Sequence, residues 1–239
     1  MCGISLLMNK KSISTSSLVA MNQIIRHRGP DDEGYLLCTG ENVELFAGSE
    51  SAQPSIDNHQ LKQIDSNLTD WKVGLGHRRL SIIDLSSAGH QPMVYKQWAI
   101  TYNGEVYNYV ELREELQLLG HQFVSETDTE VLLHAWDEWG SKSLDKLNGM
   151  FVFALFNSEI EEVTIVRDRY GIKPLYYTTT QGYFAAGSEA KQLRILPDYN
   201  FQLNTSVAYE YLRDGSLDHS KETFEEGVFQ LMPGEILTY

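Results

Sequence analysis

The order of strand-like and helix-like segments is the feature that most restricts the fold of this chain. Strand-like runs come in groups separated by helical segments, and strands and helices do not alternate one by one. This order favours an α+β fold with antiparallel sheets over a doubly wound fold. Residues 150–156 are apolar at every position, which predicts a strand buried on both faces. No internal repeat, low-complexity tract or clear linker interrupts residues 1–239, so we expect a single domain.

Helices are predicted where apolar residues recur at helical spacing after a capping residue. Ser16 and Ser17 are candidate caps for the first helix. Gly120 and Gly140 should end the two helices that begin with capping-box pairs. The predicted helical segments are 18–25, 108–120, 127–140 and 207–213, and the first of them should stop at 28–30. The capping-box pairs are Asn108 with Glu111 and Thr127 with Glu130.

Strands are predicted from short apolar runs that turn residues interrupt. A turn over 40–42 should join the second and third strands, and Asn103-Gly104 should end the strand that begins at Trp98. Residues 49–70 are rich in Ser, Asn, Asp and Gln, which predicts a surface excursion with room for one short helix. The strands besides 150–156 are expected at 2–8, 35–39, 43–47, 73–75, 98–102, 163–167, 175–179, 183–186 and 235–239.

Composition excludes several classes of function. The formal net charge of −14 argues against a nucleic-acid partner, because an acidic surface repels phosphate backbones. The two cysteines, Cys2 and Cys38, are too few for a disulfide framework or a zinc quartet. No segment has a signal-peptide pattern or reaches the roughly 18 apolar residues of a membrane helix, so we expect a cytoplasmic protein without a membrane partner. The histidines show no paired metal spacing, so no metal is predicted, and His77 and His90 are expected to be hydrogen-bonding loop residues.

Cys2 is a candidate nucleophile because a small second residue permits removal of Met1. Removal would leave an α-amine with a pKa of roughly 7.7–8.0 beside a thiol with a pKa of roughly 8.5. The amine could then act as general base for its own thiol. The alternative is a small apolar residue in an edge strand, and position 2 alone favours that alternative.

Six sequence motifs follow the N-terminal Cys-Gly-Ile. Together they closely resemble the glutaminase domain of class II glutamine amidotransferases, and most closely its asparagine synthetase type. The resemblance extends from Cys2 to about Leu193, and the 49–70 segment is longer than usual for the family. It implies a four-layer αββα sandwich with two antiparallel sheets, the N-terminal nucleophile hydrolase fold. The motifs are HRGPDDEG (27–34), GHRRLSIIDLS (76–86), YNGEVYN (102–108), TDTE (127–130), NGMFVFALFN (148–157) and RDRYGIKPLYY (167–177).

The resemblance implies that the chain hydrolyses glutamine. Cys2 would attack the side-chain amide carbon, release ammonia and leave a γ-glutamyl thioester that water hydrolyses. Asn103 and Gly104 would form the oxyanion hole, for which an amide NH₂ and a backbone N–H are suitable donors. Taken alone, Asn-Gly is more often a turn.

The resemblance also implies how the substrate is bound. Arg79 would grip the α-carboxylate with its guanidinium fork, while Asp128 and Glu105 would hold the α-ammonium. The alternatives are a solvated or ion-paired arginine, as expected for Arg78, a first-turn helix acid at Asp128 and a surface acid at Glu105. Backbone contacts to the substrate are implied for Leu80, Ser81, Ile82 and Ile83.

Two further loops have expected positions. Arg28 and Gly29 should support the loop beside Cys2. Asp168, Arg169 and Lys173 should lie in a charged loop near the outer rim of the domain, facing a partner domain or water.

The family resemblance also predicts partners. Similar proteins continue into an ATP-pyrophosphatase synthetase domain with an SGGLDSS-type loop, and these 239 residues contain no such loop. We therefore expect an excised domain or a product that needs a separate synthetase, with ATP and Mg bound only there and no cofactor here. The expected partners are L-glutamine and that synthetase, and a homodimer is left open. Two alternatives are the glutaminase of a phosphoribosyl or hexosamine amidotransferase, and a non-catalytic domain that kept the fold.

Overall fold

Two β-sheets form the centre of the molecule in the computed structural model, which describes residues 1–40, 42–197 and 199–239. The turn predicted over 40–42 includes Glu41, which lies outside the described residues. The strands are β1 Gly3–Asn9, β2 Asp32–Thr39, β3 Asn42–Ala47, β4 Lys62–Gln63, β5 Val73–Arg79, β6 Met93–Tyr95, β7 Trp98–Val106, β8 Gly149–Asn157, β9 Glu162–Arg167, β10 Tyr176–Thr179, β11 Tyr183–Gly187, β12 Phe229–Gln230 and β13 Ile236–Thr238. The helices are α1 Thr15–Gln23, α2 Gln53–His59, α3 Tyr109–Leu118, α4 Asp128–Trp139, α5 Ser143–Lys146 and α6 Thr205–Asp214.

The strand order places β1 inside the larger sheet. The eight-stranded sheet runs β12-β10-β11-β1-β5-β2-β3-β4, and its pairs are antiparallel except β3 with β4. The five-stranded sheet runs β13-β9-β8-β7-β6 and is antiparallel throughout. The N-terminal segment is therefore hydrogen-bonded on both sides, and it is not an edge strand.

Three apolar cores give the molecule four layers. Between the sheets, residues such as Leu6, Leu75 and Phe156 are fully buried. α1 covers the outer face of the larger sheet through Leu18 and Met21, while the outer face of the smaller sheet packs against α3 and α4. This arrangement confirms the predicted αββα sandwich with two antiparallel-rich sheets. No helix in the described ranges is long and apolar enough to cross a membrane.

Most predicted elements are present with small shifts at their ends. The buried strand expected at 150–156 is β8, which is buried from its third residue onward. Gly120 and Gly140 follow α3 and α4 with φ of +98° and +58°, the left-handed region in which glycine is favoured. The excursion at 49–70 is largely exposed and contains α2, but it also contributes edge strand β4.

The predicted helix caps are only partly correct. Ser14, rather than Ser16 or Ser17, caps α1. Asn108 makes no cap bond, because its side chain instead accepts from Asn148 N at 2.9 Å and donates to Lys146 O at 2.9 Å. At α4, Thr127 Oγ1 accepts from the backbone N of Glu130 at 3.2 Å as predicted. The Glu130 carboxylate completes no box, since it accepts from the backbone of 124 and 125.

Candidate active site

Cys2 lies directly before β1, where its sulfur contacts the backbone of Leu80. The Leu80 N–H donates to Cys2 Sγ at 3.3 Å, and the Leu80 carbonyl lies 3.7 Å from the same sulfur. Burial raises the pKa of the Cys2 thiol, and the Leu80 backbone, the N-terminal charge and Arg79 act in the opposite direction. As long as Met1 is attached, the nitrogen of Cys2 is a peptide amide, which is not a base.

The predicted site residues all line one pocket. This pocket encloses about 740 Å³ of empty space, its open mouth included. The structure thus brings together residues from the segment before β1, from β5, β7 and α4, and from the loop after β5, which are far apart in sequence. The predicted residues among its lining are Cys2, Arg79, Leu80, Ser81, Ile82, Ile83, Asn103, Gly104, Glu105 and Asp128.

Asn103 and Gly104 lie within β7 and do not end it, so the predicted strand end is wrong. β7 continues to Val106, with Asn103 opposite Val152 and Gly104 opposite Phe151. A Cβ at position 104 would lie 2.5 Å from the carbonyl oxygen of Met150, so the glycine is needed for close strand pairing rather than for a turn.

The Asn103 amide is a candidate oxyanion donor. The residue is 1% exposed, and its Nδ2 has no hydrogen-bond partner among the described residues. A buried donor without a partner costs free energy, and such exceptions call for an explanation. A substrate oxyanion beside Cys2 would supply the missing acceptor.

Arg79 is the last residue of β5, and its guanidinium contacts the loop over 80–89. Its Nη1 donates to the carbonyl of Ser86 at 2.8 Å, and its Nη2 donates to the carbonyl of Asp84. A side chain at Gly89 would clash with Nη2. The guanidinium is therefore held in place by neutral carbonyls, which leave its positive charge available to an anion in the pocket.

The loop after β5 is tied to two neighbouring segments. Asp31 Oδ2 accepts from the backbone N of Ser81 at 2.8 Å, and Asp84 Oδ2 accepts from the backbone N of Glu126 at 3.0 Å. Ile82 is 71% exposed although it belongs to the pocket lining. The first acid of the HRGPDDEG motif thus positions the loop that carries Leu80 to Ile83.

Asp128 is the first residue of α4 and lines the same pocket as Arg79, with the opposite charge. Its Oδ2 accepts from the Tyr102 hydroxyl at 2.6 Å and from the backbone N of Val106 at 2.9 Å. Burial raises the pKa of Asp128, although these two hydrogen bonds act against the shift. The residue is both a first-turn helix acid and a pocket residue, while Glu105 is half-buried at the same pocket. A cation and acids in one cavity match the two charged ends of an amino acid.

Sequence reasoning misplaced the loop that follows β9. Asp168 is 1% exposed and accepts backbone N–H bonds, and Lys173 is 5% exposed and lines the pocket, so neither lies at an outer rim. Charged residues are usually exposed, which is why the sequence predicted otherwise. Arg169 is exposed as expected.

Gln91 was not predicted, although it joins two walls of the pocket. Its Oε1 accepts from the backbone N of Tyr102, and its Nε2 donates to Thr129 Oγ1. Gln91 is uncharged and lies outside the six motifs, so nothing in the sequence indicated that it belongs to the pocket.

The arginines and histidines near the pocket have structural partners. Arg28 Nε donates to the carbonyl of Cys2 at 3.0 Å, which agrees with a supporting role. Arg78 is buried and ion-paired to Glu33 and Glu50, as expected.

His77 lies in β5 and not in a loop. It is fully buried, and its Nδ1 lies 3.0 Å from Oγ1 of Thr101, a residue of β7 in the other sheet. Burial, together with the nearby His90, lowers the pKa of His77 to about 3, so this side chain is neutral. His90 does lie in a loop, where it bonds Asp32 at 2.7 Å. In the described ranges no group of three or more His, Cys, Asp or Glu could hold a metal ion, and the absence of a metal stays a prediction.

Comparison with known proteins identifies the family. A model of the glutamine amidotransferase domain matches residues 60–239. The chain belongs to the glutamine amidotransferase family. The match begins after Cys2, but a full-length comparison includes it: glutamine-hydrolysing asparagine synthetase 1 of Bacillus subtilis is 34% identical over 255 residues, covering 100% of this chain.

Other relatives support the same class II amidotransferase domain. Glutamine-hydrolysing asparagine synthetase 3 of Bacillus subtilis is 37% identical over 180 residues, covering 73% of this chain, and amidase chry2 of Gibberella zeae is 32% identical over 99% of it. This amidotransferase chain spans about a third of the length of these relatives, at 35%, 29% and 32%.

Solved structures confirm the N-terminal nucleophile hydrolase fold of the amidotransferase chain. Glutamine phosphoribosylpyrophosphate amidotransferase from B. subtilis has a TM-score of 0.66 with 19% identity, covering 81% of this chain and 43% of its own. A structure described as the allosteric regulatory enzyme of purine biosynthesis has a TM-score of 0.68 with 20% identity, covering 99% and 46%. At these identities the likeness concerns the fold alone.

Proposed function

We propose that this domain hydrolyses L-glutamine to glutamate and ammonia through a thioester on Cys2. The observation that carries the proposal is the Asn103 Nδ2 donor, which is buried without a partner among the described residues, in the pocket that Cys2 also lines. Family membership supports the same chemistry.

Substrate binding uses the charges of the pocket. Arg79 takes the α-carboxylate of glutamine, and Asp128 with Glu105 takes its α-ammonium. Leu80 to Ile83 contact the substrate through their backbone. These contacts orient the side-chain amide toward Cys2, and orientation lowers the barrier of the following step.

The chemical steps begin after Met1 has been removed. The α-amine of Cys2 takes the thiol proton, and the sulfur attacks the amide carbon of glutamine. Asn103 Nδ2 and the Gly104 N–H stabilise the resulting oxyanion. The C–N bond then breaks, the proton passes from the amine to the leaving nitrogen, and ammonia departs. Water attacks the thioester carbon, which releases glutamate and restores the thiol.

The released ammonia serves an ATP-dependent amidation in a synthetase part that lies outside these 239 residues. This proposal rests on the relatives named asparagine synthetases, which are about three times as long as this chain. ATP and Mg would bind in that part, and the glutaminase step needs no cofactor. Formation of a homodimer stays a prediction that light scattering can test.

The test uses protein whose Met1 removal is verified by intact mass. We expect glutamate and ammonia in equal amounts from L-glutamine, and stoichiometric labelling of Cys2 by a diazoketone analogue of glutamine. Cys2→Ala should abolish both. Cys38→Ala is the matched control, because Cys38 is buried between the sheets away from the pocket.

Two results would contradict the proposal. One is a folded, fully processed protein that neither releases glutamate nor takes the label, which would favour a non-catalytic domain. The other is a Cys2→Ala protein that remains active.

A further inference from the structure

The backbone of Lys173 is fixed from both sides by its own motif. Its N–H donates to Asp168 Oδ2 at 3.1 Å, and its carbonyl accepts from Arg167 Nε at 2.7 Å. The Asp168 carboxylate also accepts from the backbone N of Phe151 in β8 at 3.2 Å. The loop over 168–173 is therefore attached to the sheet that carries the oxyanion donor, and it holds Lys173 at a defined position.

The Lys173 ammonium is buried in the pocket. The residue is 5% exposed, and its Nζ lies 3.2 Å from Met1 Sδ. A thioether is a weak acceptor that cannot balance a positive charge. In the described part of the chain, no carboxylate oxygen lies within 4 Å of this Nζ. Burial and then the Arg28 cation lower the pKa of Lys173, while Cys2, Glu105 and Asp168 act in the opposite direction.

Met1 removal changes what this ammonium faces. The sulfur departs with Met1, while Lys173 and Cys2 remain in the lining of the same pocket. A cation disfavours a second positive charge on the amine and favours a negative charge on the sulfur. Both effects increase the fraction of Cys2 that carries a neutral amine or a thiolate.

The other charged groups near Cys2 have other partners. Arg79 and Asp128 are assigned to the charged ends of the substrate under the proposed function. Arg28 is ion-paired to Glu189 at 2.9 Å. Lys173 is thus a cation in the Cys2 pocket that has no ion pair among the described residues and no contact assigned to the substrate.

We propose that Lys173 is a positioning residue whose ammonium keeps the α-amine of processed Cys2 neutral and favours the thiolate of Cys2. This inference rests on the proposed function. It acts through Cys2 and does not contact the reacting amide. The charged groups that act on this assembly are Arg28 and Glu189 beside Cys2, Glu105 on β7, Asp168 on the loop, Arg79 on β5 and Asp128 on α4.

The test measures the pH dependence of Cys2 alkylation by iodoacetamide in Met1-free protein. A Cys38→Ala background leaves Cys2 as the single thiol. Lys173→Met should move the alkylation midpoint up by about one pH unit, since removing a nearby cation raises the pKa of both the amine and the thiol. The acid limb of glutaminase kcat/KM should move in the same direction.

Three variants separate charge from packing. Lys173→Arg keeps the charge and should shift the midpoint by much less than the neutral variants do. Lys173→Gln is a second neutral variant whose fold is checked by circular dichroism, like that of Lys173→Met. Lys142→Met makes the same chemical change at an exposed site and should leave the midpoint unchanged.

An unchanged midpoint in a folded neutral variant would overturn the proposal, even if its activity fell. A Lys173→Arg protein that behaves like Lys173→Met would overturn it as well, because the effect would then come from packing. Alkylation requires no glutamine turnover. A shifted midpoint without glutamate release would therefore count against the proposed function and leave the assignment of Lys173 standing.

Discussion

The backbone N–H of Leu80 lies 3.3 Å from the sulfur of Cys2, directly after the arginine that faces the pocket. The pairing of β1 with β5 explains this contact. Gly3 is opposite Arg78, so Cys2 and Arg79 are the next residues beyond the paired ends. The spacing between nucleophile and arginine is therefore set by the sheet, and flexible loops do not determine it.

Replacement of Asn103 by alanine tests the oxyanion donor. Because Nδ2 would bind charge that develops only in the transition state, kcat should fall by roughly 10²–10³ while KM for glutamine changes little. Steady-state glutamate release measures both constants. Asn67→Ala, at an exposed position of the excursion, is the control. A raised KM with an unchanged kcat would exclude this role.

Replacement of Arg79 by lysine tests the carboxylate grip. Loss of the guanidinium fork should raise KM for glutamine roughly tenfold to hundredfold, the usual weight of hydrogen bonds to charged groups. A substrate that lacks the α-carboxylate, 4-aminobutanamide, should be hydrolysed equally well by both proteins. Arg169→Lys at an exposed site serves as the control. Equal losses for both substrates would indicate a disturbed loop instead of a lost grip.

The pH dependence of KM tests Asp128. Burial raises its pKa above the ordinary value of 3.8, so the carboxylate loses its charge at a higher pH than an exposed aspartate does. KM for glutamine should therefore rise as the pH falls, beginning above the range of an ordinary aspartate. Asp128→Asn should show a high KM without this acid limb, while Asp70→Asn, which is exposed, should behave like the wild type. An acid limb that persists in Asp128→Asn would assign it to another group.

Acid unfolding tests the Asp32 cluster. Burial alone would raise the pKa of Asp32, but hydrogen bonds from His90, Ser55 and the backbone of Ala52 outweigh it and lower the pKa to about 2. The unfolded value is 3.8, so the stabilisation is complete above about pH 4 and is lost as the pH falls to about 2. The ionised Asp32 carboxylate stabilises the folded state by about 2 kcal/mol.

The matching experiment is urea unfolding at pH 5 and pH 3. Asp32→Asn should be less stable at pH 5 and should lose less free energy of unfolding between the two values than the wild type. Asp70→Asn should retain the wild-type difference. The same loss in Asp32→Asn and wild type would show that this carboxylate does not contribute to the acid dependence.

Much of the fold could be predicted from the sequence, because apolar runs and turn residues report local structure directly. The pocket residues could also be named in advance, because the resemblance to the amidotransferase family implied them residue by residue. Two of them, Arg79 and Asp128, lie at the end of β5 and at the start of α4. Their roles in catalysis remain predictions for the experiments above.

Other features depend on tertiary contacts that local patterns do not report. Asn103-Gly104 has the composition of a turn, and only the approach of the Met150 carbonyl shows that the glycine belongs inside a strand. Lys173 and Asp168 are charged, which predicts exposure, whereas backbone hydrogen bonds from distant segments keep Asp168 buried. Asn108 likewise prefers two tertiary bonds to a local cap.

The interior position of β1 has a practical consequence for producing the protein. Because β1 is flanked by β5 and β11, any residues fused ahead of Cys2 would have to leave through the pocket, and they would also convert its amine into an amide. β13, in contrast, lies at the edge of the five-stranded sheet. An affinity tag on this domain should therefore be attached at its C-terminal end, because the amine of Cys2 then stays free.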